Sequence, residues 1–403
     1  MKYKTYKIKD LINEISMGPF GSNIKVECFV DSGIPVLNGS NLTGFALNDN
    51  SFRYVTPEKA DSLGKANAYR GDVVITHRGT LGQIVFIPEN SKYSRYVISQ
   101  SQFRVKCNEK VLPEYLVYYF HTNAGRHKLL SNASQVGVPA LARASTTFQT
   151  LEIDIPDVTE QRKIVDLLET IREKIELNNA INNNLTEQAR SIYQSWFIDY
   201  EPFGRTMPLD WIPSSLGGVA TMKTDSWSPS KNPETIVEHY SIPAYDEKHY
   251  PVFEIASGIK SNKYILTPDS VMISKLNPDT KRIWRPMCLS AHPICSTEFI
   301  VYEAKKAAQK DFVYSILDSA PFLNFLCSHT TGSTNSRQRA TPKATLDFPI
   351  MLPPDSIIEE FCQIVSPMYD LISKNIIENQ SLAKARDIML PKLMNGELDV
   401  SDL

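Results

Sequence analysis

Between Asp72 and Val105 the apolar residues fall in short runs, Val73–Thr76, Ile84–Ile87 and Val97–Val105, bounded by Gly, Pro and Asn. Runs of that length between turn residues predict β-strands. A longer apolar stretch at Pro113–Ser131, matched by Lys310–Ser328, predicts a single helix in each half of the chain. From Thr159 the period changes. Ile164, Leu168, Ile171, Ile175, Asn178, Asn182, Leu185, Ala189, Ile192 and Trp196 make a heptad seam. A second seam reads Ile364, Met368, Leu371, Asn375, Glu378, Leu382, Ala385 and Met389. Both seams are apolar at their ends and polar at their centres. They are too long for a small domain to cover, so the two helices are expected to pack on each other as an antiparallel coiled coil. Asparagine at a seam position fixes the register at some cost in stability.

The chain also repeats. "TLEIDIPDVTEQRKIV" (150–165) and "TLDFPIMLPPDSIIEEFCQIV" (345–365) are each a strand, a Pro-containing turn and an acidic helix start. Asp157 with Glu160, and Ser356 with Glu359, have capping-box spacing. Upstream, at an offset of about 197 residues, "GDVVITHRG" (71–79) matches "PDSVMISKL" (268–276), and "PEYLVYYF" (113–120) matches "KDFVYSIL" (310–317). This alignment sets Arg78 opposite Lys275. A duplicated unit follows. The expected fold is α+β: globular domains at 1–157 and 198–354, each followed by a long helix, at 158–197 and in 355–403.

Charge sharpens that layout. The overall charge is −2, yet residues 1–150 carry +7, 151–200 carry −5, 201–345 carry +2 and 346–403 carry −6. Basic domains suit a polyanion, whereas acidic helices repel one and suit protein partners. The first residues, "MKYKTYKIKD", lack the apolar core of a secretory signal, and no apolar run is long enough to span a membrane. A cytoplasmic location is expected.

Catalytic chemistry is not legible. There is no GxxxxGK ending in Ser or Thr, no GxGxxG after a strand and no HExxH. Cys288, His292 and Cys295 supply three scattered donors without a CxxC pair, which reads better as buried strand cysteines than as zinc ligands. The stretch "SMGPFGSNIK" (16–25) is rich in glycine but lacks the Lys-Ser ending of a nucleotide loop, so its glycines read as turn residues. Neither a catalytic nor a metal site is expected.

Several segments together carry a family likeness: "SMGPFGSNIK", "SGIPVLNGSNL" (32–42), "GDVVITHRGTLGQ", the twin "IDIPDVTEQRKIVDLL" and "PIMLPPDSIIEEFCQIV", "SIYQSWFIDYEPF" (191–203), "DSVMISKLNPDTKRIW" (269–284) and "KLMNGEL" (392–398). With them the chain resembles the specificity (S) subunit of a type I restriction-modification system over essentially its whole length. The resemblance implies two target-recognition domains that each read one half of a bipartite DNA site, with the helices as spacer. It implies no cofactor in this chain. S-adenosylmethionine would sit on two modification (methyltransferase) subunits, and ATP and magnesium on the restriction (translocase and nuclease) subunits. A non-catalytic coiled-coil adaptor joining proteins is the alternative.

DNA is read by Arg, Lys, Asn, Gln and Ser on loops. In the first domain these are Ser22, Asn23, Lys25, Asn38, Asn41, Arg78 and Arg143. In the second they are Lys275, Asn277, Lys281, Arg282, Arg337 and Arg339.

Overall fold

A computed structural model describes residues 2–134, 138–331 and 338–400, with the side chains of Ser22 and Ser134 also outside the description. The chain divides into two compact units. One comprises Met1–Lys174 with Ser381–Leu403, the other Ile175–Gln380. The division is not the linear one expected, because both long helices are shared between the units. The cause lies in the cores. In the first unit, Ile164, Val165 and Leu168 from the start of one long helix join Leu390, Leu393 and Met394 from the end of the other. In the second unit, Ala189, Tyr193 and Phe197 meet Ile358, Phe361 and Val365. Each domain is therefore closed by one end of each helix.

The first unit holds a four-stranded antiparallel sheet in the order 12–17, 102–107, 72–76, 84–86. A second sheet runs 53–55, 34–36, 95–97, 67–69, with Ile34–Val36 parallel to Arg95–Val97. The second unit repeats both. Its strands 220–223, 299–304, 270–274 and 283–284 form one sheet. The other runs 226–227, 263–265, 293–296, 236–240, 252–255, again with one parallel pair. Outer pairs 4–7 with 152–155, and 212–215 with 349–352, tie the start of each domain to its end.

Some expected elements are divided. The apolar run Val97–Val105 is two strands in two sheets, because Ser99–Gln102 turns: the Gln102 N–H donates to Ser99 O at 3.1 Å and Gln102 Oε1 accepts from the Ser99 N–H at 2.9 Å. The single helix expected at Pro113–Ser131 breaks into Pro113–His121 and Asn123–Leu130. Thr122 is extended at the break, and its hydroxyl accepts from the Gly125 N–H. A Cβ on Gly125 would lie 2.1 Å from the Tyr119 carbonyl, so the corner needs glycine. Ser319 makes the same break between Lys310–Asp318 and Ala320–Ser328.

The long helices span Val158–Phe197 and Asp355–Asn395. Asp157 caps the first by accepting from the Glu160 N–H at 3.0 Å. The second starts at Asp355, so Ser356 lies inside its first turn rather than at its cap. Within the second unit the helices run antiparallel through an asparagine ladder. Asn178 donates to Asn379 at 2.9 Å and to Glu378 at 2.7 Å; Asn375 donates to Asn182 at 2.8 Å, and Asn379 to Asn179 at 2.9 Å. Each buried amide has partners, which is what makes a polar layer tolerable inside an apolar seam.

On the first helix, Ile164, Leu168, Ile171, Asn178 and Asn182 are buried, and Ile175, Leu185 and Ile192 half-buried. On the second the seam is shifted. Ile364 and Leu371 are exposed, at 38% and 42%, while Val365, Tyr369, Asn375, Asn379 and Leu390 are buried; Met368, Leu382 and Met389 are half-buried. Ile364 and Leu371 are thus not seam residues. Through Tyr369 the inward stripe lies one position further along, with Tyr369 packed beneath Tyr314 at 4.9 Å between rings and Arg285 holding Asp370 on the outer flank at 2.8 Å, while Asn375 keeps its expected place in the seam.

Candidate nucleic-acid interface

The loop after strand Ile12–Met17 is bound tightly to the turn at Ser99–Gln102. The Gly18 N–H donates to Gln102 O at 2.8 Å, and a Cβ on Gly18 would lie 1.9 Å from Ser99 O. Only glycine permits that approach. The Asn23 N–H returns to Phe20 O at 2.8 Å, closing a turn that leaves Asn23 and Lys25 exposed. The Ser99–Gln102 turn also receives His77, whose N–H donates to Ser101 O at 2.9 Å and whose Nε2 lies 3.2 Å from Gln100 O. Burial lowers the His77 pKa below its ordinary value. Arg78 follows, exposed, its backbone bridged to Ala140, while the Gly79 N–H donates to Pro139 O. Arg143 stands exposed three residues beyond Ala140 with φ +47° at the start of helix Ala144–Thr150.

Three loops, 18–25, 77–79 and 139–143, are thereby fastened to one another through backbone bonds. Among the described residues Asn23, Arg78 and Arg143 have no side-chain hydrogen bond or ion pair, and Lys25 has only an exposed pairing with Glu27 at 3.6 Å. Exposed, unpaired cations on a fastened backbone suit a polyanionic surface. Ser22 lies in the turn Gly21–Asn23, with its side chain outside the described residues.

Two nominated residues are used internally. Asn41 is buried and donates to Asn48 O at 3.1 Å and Asn50 O at 2.7 Å, while its Oδ1 accepts from the Asn38 N–H. Asn38 caps the same turn, accepting from the Ser40 N–H at 2.8 Å. Asn41 therefore shapes its loop and cannot reach a ligand, and Asn38 is committed to the cap.

The second unit has the same backbone arrangement with different side chains. The Lys275 N–H donates to Glu298 O, Lys275 O accepts from Ala340, Leu276 bridges Arg339, and the Asn277 N–H donates to Gln338 O. Lys275 thus occupies the place of His77, and Leu276 that of Arg78. The sequence alignment, which set Arg78 against Lys275, is one residue out here. Strand pairing explains the slip: Thr76 pairs Gln102 while Ser274 pairs Phe299, so Asp72 corresponds to Ser270 and not to Asp269.

The other nominated cations of this unit are mostly paired. Lys281 lies 2.6 Å from the buried Asp318, which also takes Arg190 at 2.5 Å. Arg282 is bidentate to Asp246 at 2.6 and 2.9 Å, and Arg339 to Glu298 at 3.0 and 3.1 Å. Lys281 holds its own loop and is not an open reader. Arg282 and Arg339 would have to exchange a carboxylate for a phosphate or base edge. Lys275 is half-buried with no partner among the described residues, and Asn277, at φ +47°, has a buried Oδ1 with none. Arg337 lies outside the described residues.

Cys295 is buried on strand Pro293–Ser296, and no group of metal-ligand side chains occurs among the described residues. No helix among them is long and apolar enough to cross a membrane.

A family model described as the type I restriction modification DNA specificity domain matches residues 2–187. The chain is 24% identical to the type I restriction enzyme MjaIX specificity subunit of Methanocaldococcus jannaschii, an alignment covering 98% of this chain and 94% of that protein. Over nearly its whole length the chain is thus similar to type I specificity subunits. The HindI specificity subunit of Haemophilus influenzae is 22% identical over 88% of this chain and 93% of its own length. In fold the chain is similar to the S subunit of a type I restriction-modification system from M. genitalium, with a TM-score of 0.63, 14% identity and coverage of 99% and 97% of the two chains. A specificity subunit recognises a DNA target, so the adaptor reading is not favoured. Sequence reasoning passed over His77 and Gln100, which join the three loops. "ITHRG" carries no signal that its histidine, rather than the adjacent arginine, is the residue turned inward.

Proposed function

We propose that this specificity subunit reads a split DNA target, one half with each domain, and that the paired helices set the gap between the halves. It performs no catalysis. It positions two methyltransferase subunits, which would carry S-adenosylmethionine, and the restriction subunits, which would carry ATP and magnesium. The observation that carries this reading is the duplicated loop junction, 77–79 against 139–141 and 275–277 against 338–340, built on the same backbone bonds with different side chains. Two copies of one scaffold with unlike surface residues suit two unlike half-sites. Among the described residues the first junction presents Arg78 and Arg143 without a side-chain partner, whereas the second presents Arg339 paired with Glu298. Non-specific affinity should accordingly come mainly from the first domain.

Arg78→Ala with Arg143→Ala tests this in the assembled methyltransferase complex. For every phosphate that the variant no longer neutralises, the slope of log affinity against log salt should become shallower by about 0.9. Folding should be unaffected because both side chains are exposed. An unchanged slope would remove these loops from the interface.

A further inference from the structure

Phe20 is 83% exposed, at the tip of the loop that carries Asn23 and Lys25. Its position is nevertheless fixed. The backbone is tied on one side by Gly18 to Gln102 and on the other by Asn23 to Phe20 O, each at 2.8 Å, and Gly21 sits against the Gln100 side chain. In the second domain the strand 220–223 holds the edge place of 12–17, and the aromatic in the segment that follows it, Trp227, is half-buried against Val237, Ala256 and Ile294. The first domain thus holds out, on a braced turn, a ring that none of its own described residues covers.

What covers it is indicated by its neighbours. Lys25, Arg78 and Arg143 are exposed on the adjoining loops, and residues 1–150 carry +7. An apolar pocket on a protein would not call for that surround of cations, whereas a duplex offers phosphates outside and base faces inside. We propose that Phe20 is an apolar wedge that enters a base step of the half-site read by the first domain, partly unstacking it while the adjacent cations hold the backbone. Such wedges kink duplexes, and a ring–base stack is sequence-tolerant except for the ease of opening the step, which favours pyrimidine–purine steps. This proposal rests on the DNA reading above.

The test uses the complex of the full chain with its methyltransferase subunits and duplexes carrying 2-aminopurine at successive positions of the first half-site, excluding the adenine that is methylated. With the native chain, fluorescence should rise at one step on binding. Phe20→Ala should abolish that rise and weaken specific binding about 10-fold, while Phe20→Trp retains both. If Phe20→Ala leaves the signal and the affinity unchanged while the Arg78→Ala, Arg143→Ala variant binds more weakly, the wedge is wrong and the DNA reading stands. If Phe20→Ala prevents assembly with the methyltransferase subunits in the absence of DNA, the ring faces protein and the proposal falls. If the native complex shows no sequence-selective binding, both fall.

Discussion

Matched insertions of four residues, one between Asn178 and Asn182 and one between Asn375 and Asn379, are expected to make the assembled complex abandon its original target for one with a wider gap. Each insertion adds about one helical turn and about 6 Å of rise, close to two base-pair steps of about 3.4 Å. Both helices must be lengthened. The ladder pairs Asn178 with Asn379 and Asn182 with Asn375, so a single insertion would set amides against apolar side chains. The matched change restores those partners beyond the insertion and also keeps the side-chain faces nearly in phase, because four residues exceed a 3.6-residue turn only slightly. Binding to the parent target should fall by at least two orders of magnitude, since only one half-site can then be engaged, and a target about two base pairs longer in its gap should recover it. Competition binding across a series of gap lengths reads the result. An unchanged preferred gap would mean that the helices do not measure it.

A second large effect is expected in the core of the first domain. Arg104 is almost fully buried, as is Asp72, and it donates to Glu14 at 3.0 Å, to Asp72 at 3.4 Å and to Lys65 O at 3.0 Å. Arg104→Ala would leave the Asp72 carboxylate with the Tyr69 N–H alone. Stranding one member of a buried pair costs about 3 kcal/mol or more, which corresponds to a fall in melting temperature of roughly 6–12 °C. The pH dependence has a definite sign. Burial already raises the Asp72 pKa, against the lowering effects of the Tyr69 N–H and Arg104. A carboxyl whose folded pKa lies above its unfolded value costs stability at high pH and regains it as pH falls through the folded value. Loss of Arg104 raises that pKa further, so the deficit of Arg104→Ala should narrow on acidification. Thermal melts of the native chain and the variant across pH check both the size and the sign; a deficit that widened at lower pH would mean that Asp72 is not the stranded group.

The parts of the fold visible in sequence were those governed by period. The first helix seam is visible because Ile164, Leu168 and Ile171 recur at heptad spacing and are also the residues that face inward. On the second helix the same rule selects Ile364 and Leu371, which are apolar but exposed. The sequence there has two apolar stripes, and only Tyr369 packing on Tyr314 decides between them. Short breaks were hidden for a different reason. Thr122 and Ser319 end a helix through side-chain capping and an extended backbone, within a stretch that hydropathy alone reads as continuous. The duplication was legible, but its register at the loops was not: a shift of one residue between matching strands replaces Lys275 with Leu276 opposite Arg78. Among the nominated DNA readers, composition could not separate Arg78 and Arg143, unpaired among the described residues, from Lys281, held by Asp318, or Asn41, held by its own loop. Those distinctions depend on partners far away in sequence.

The claim that this chain gives a type I complex a two-part DNA specificity is tested most directly by single-molecule sequencing of adenine methylation. DNA would be taken from cells that express the chain with its methyltransferase subunits, and from matched cells lacking only this chain. One split motif, with two short defined halves separated by a fixed stretch of any sequence and absent from the deletion, is the predicted result. A contiguous motif, or methylation that persists without the chain, would contradict it.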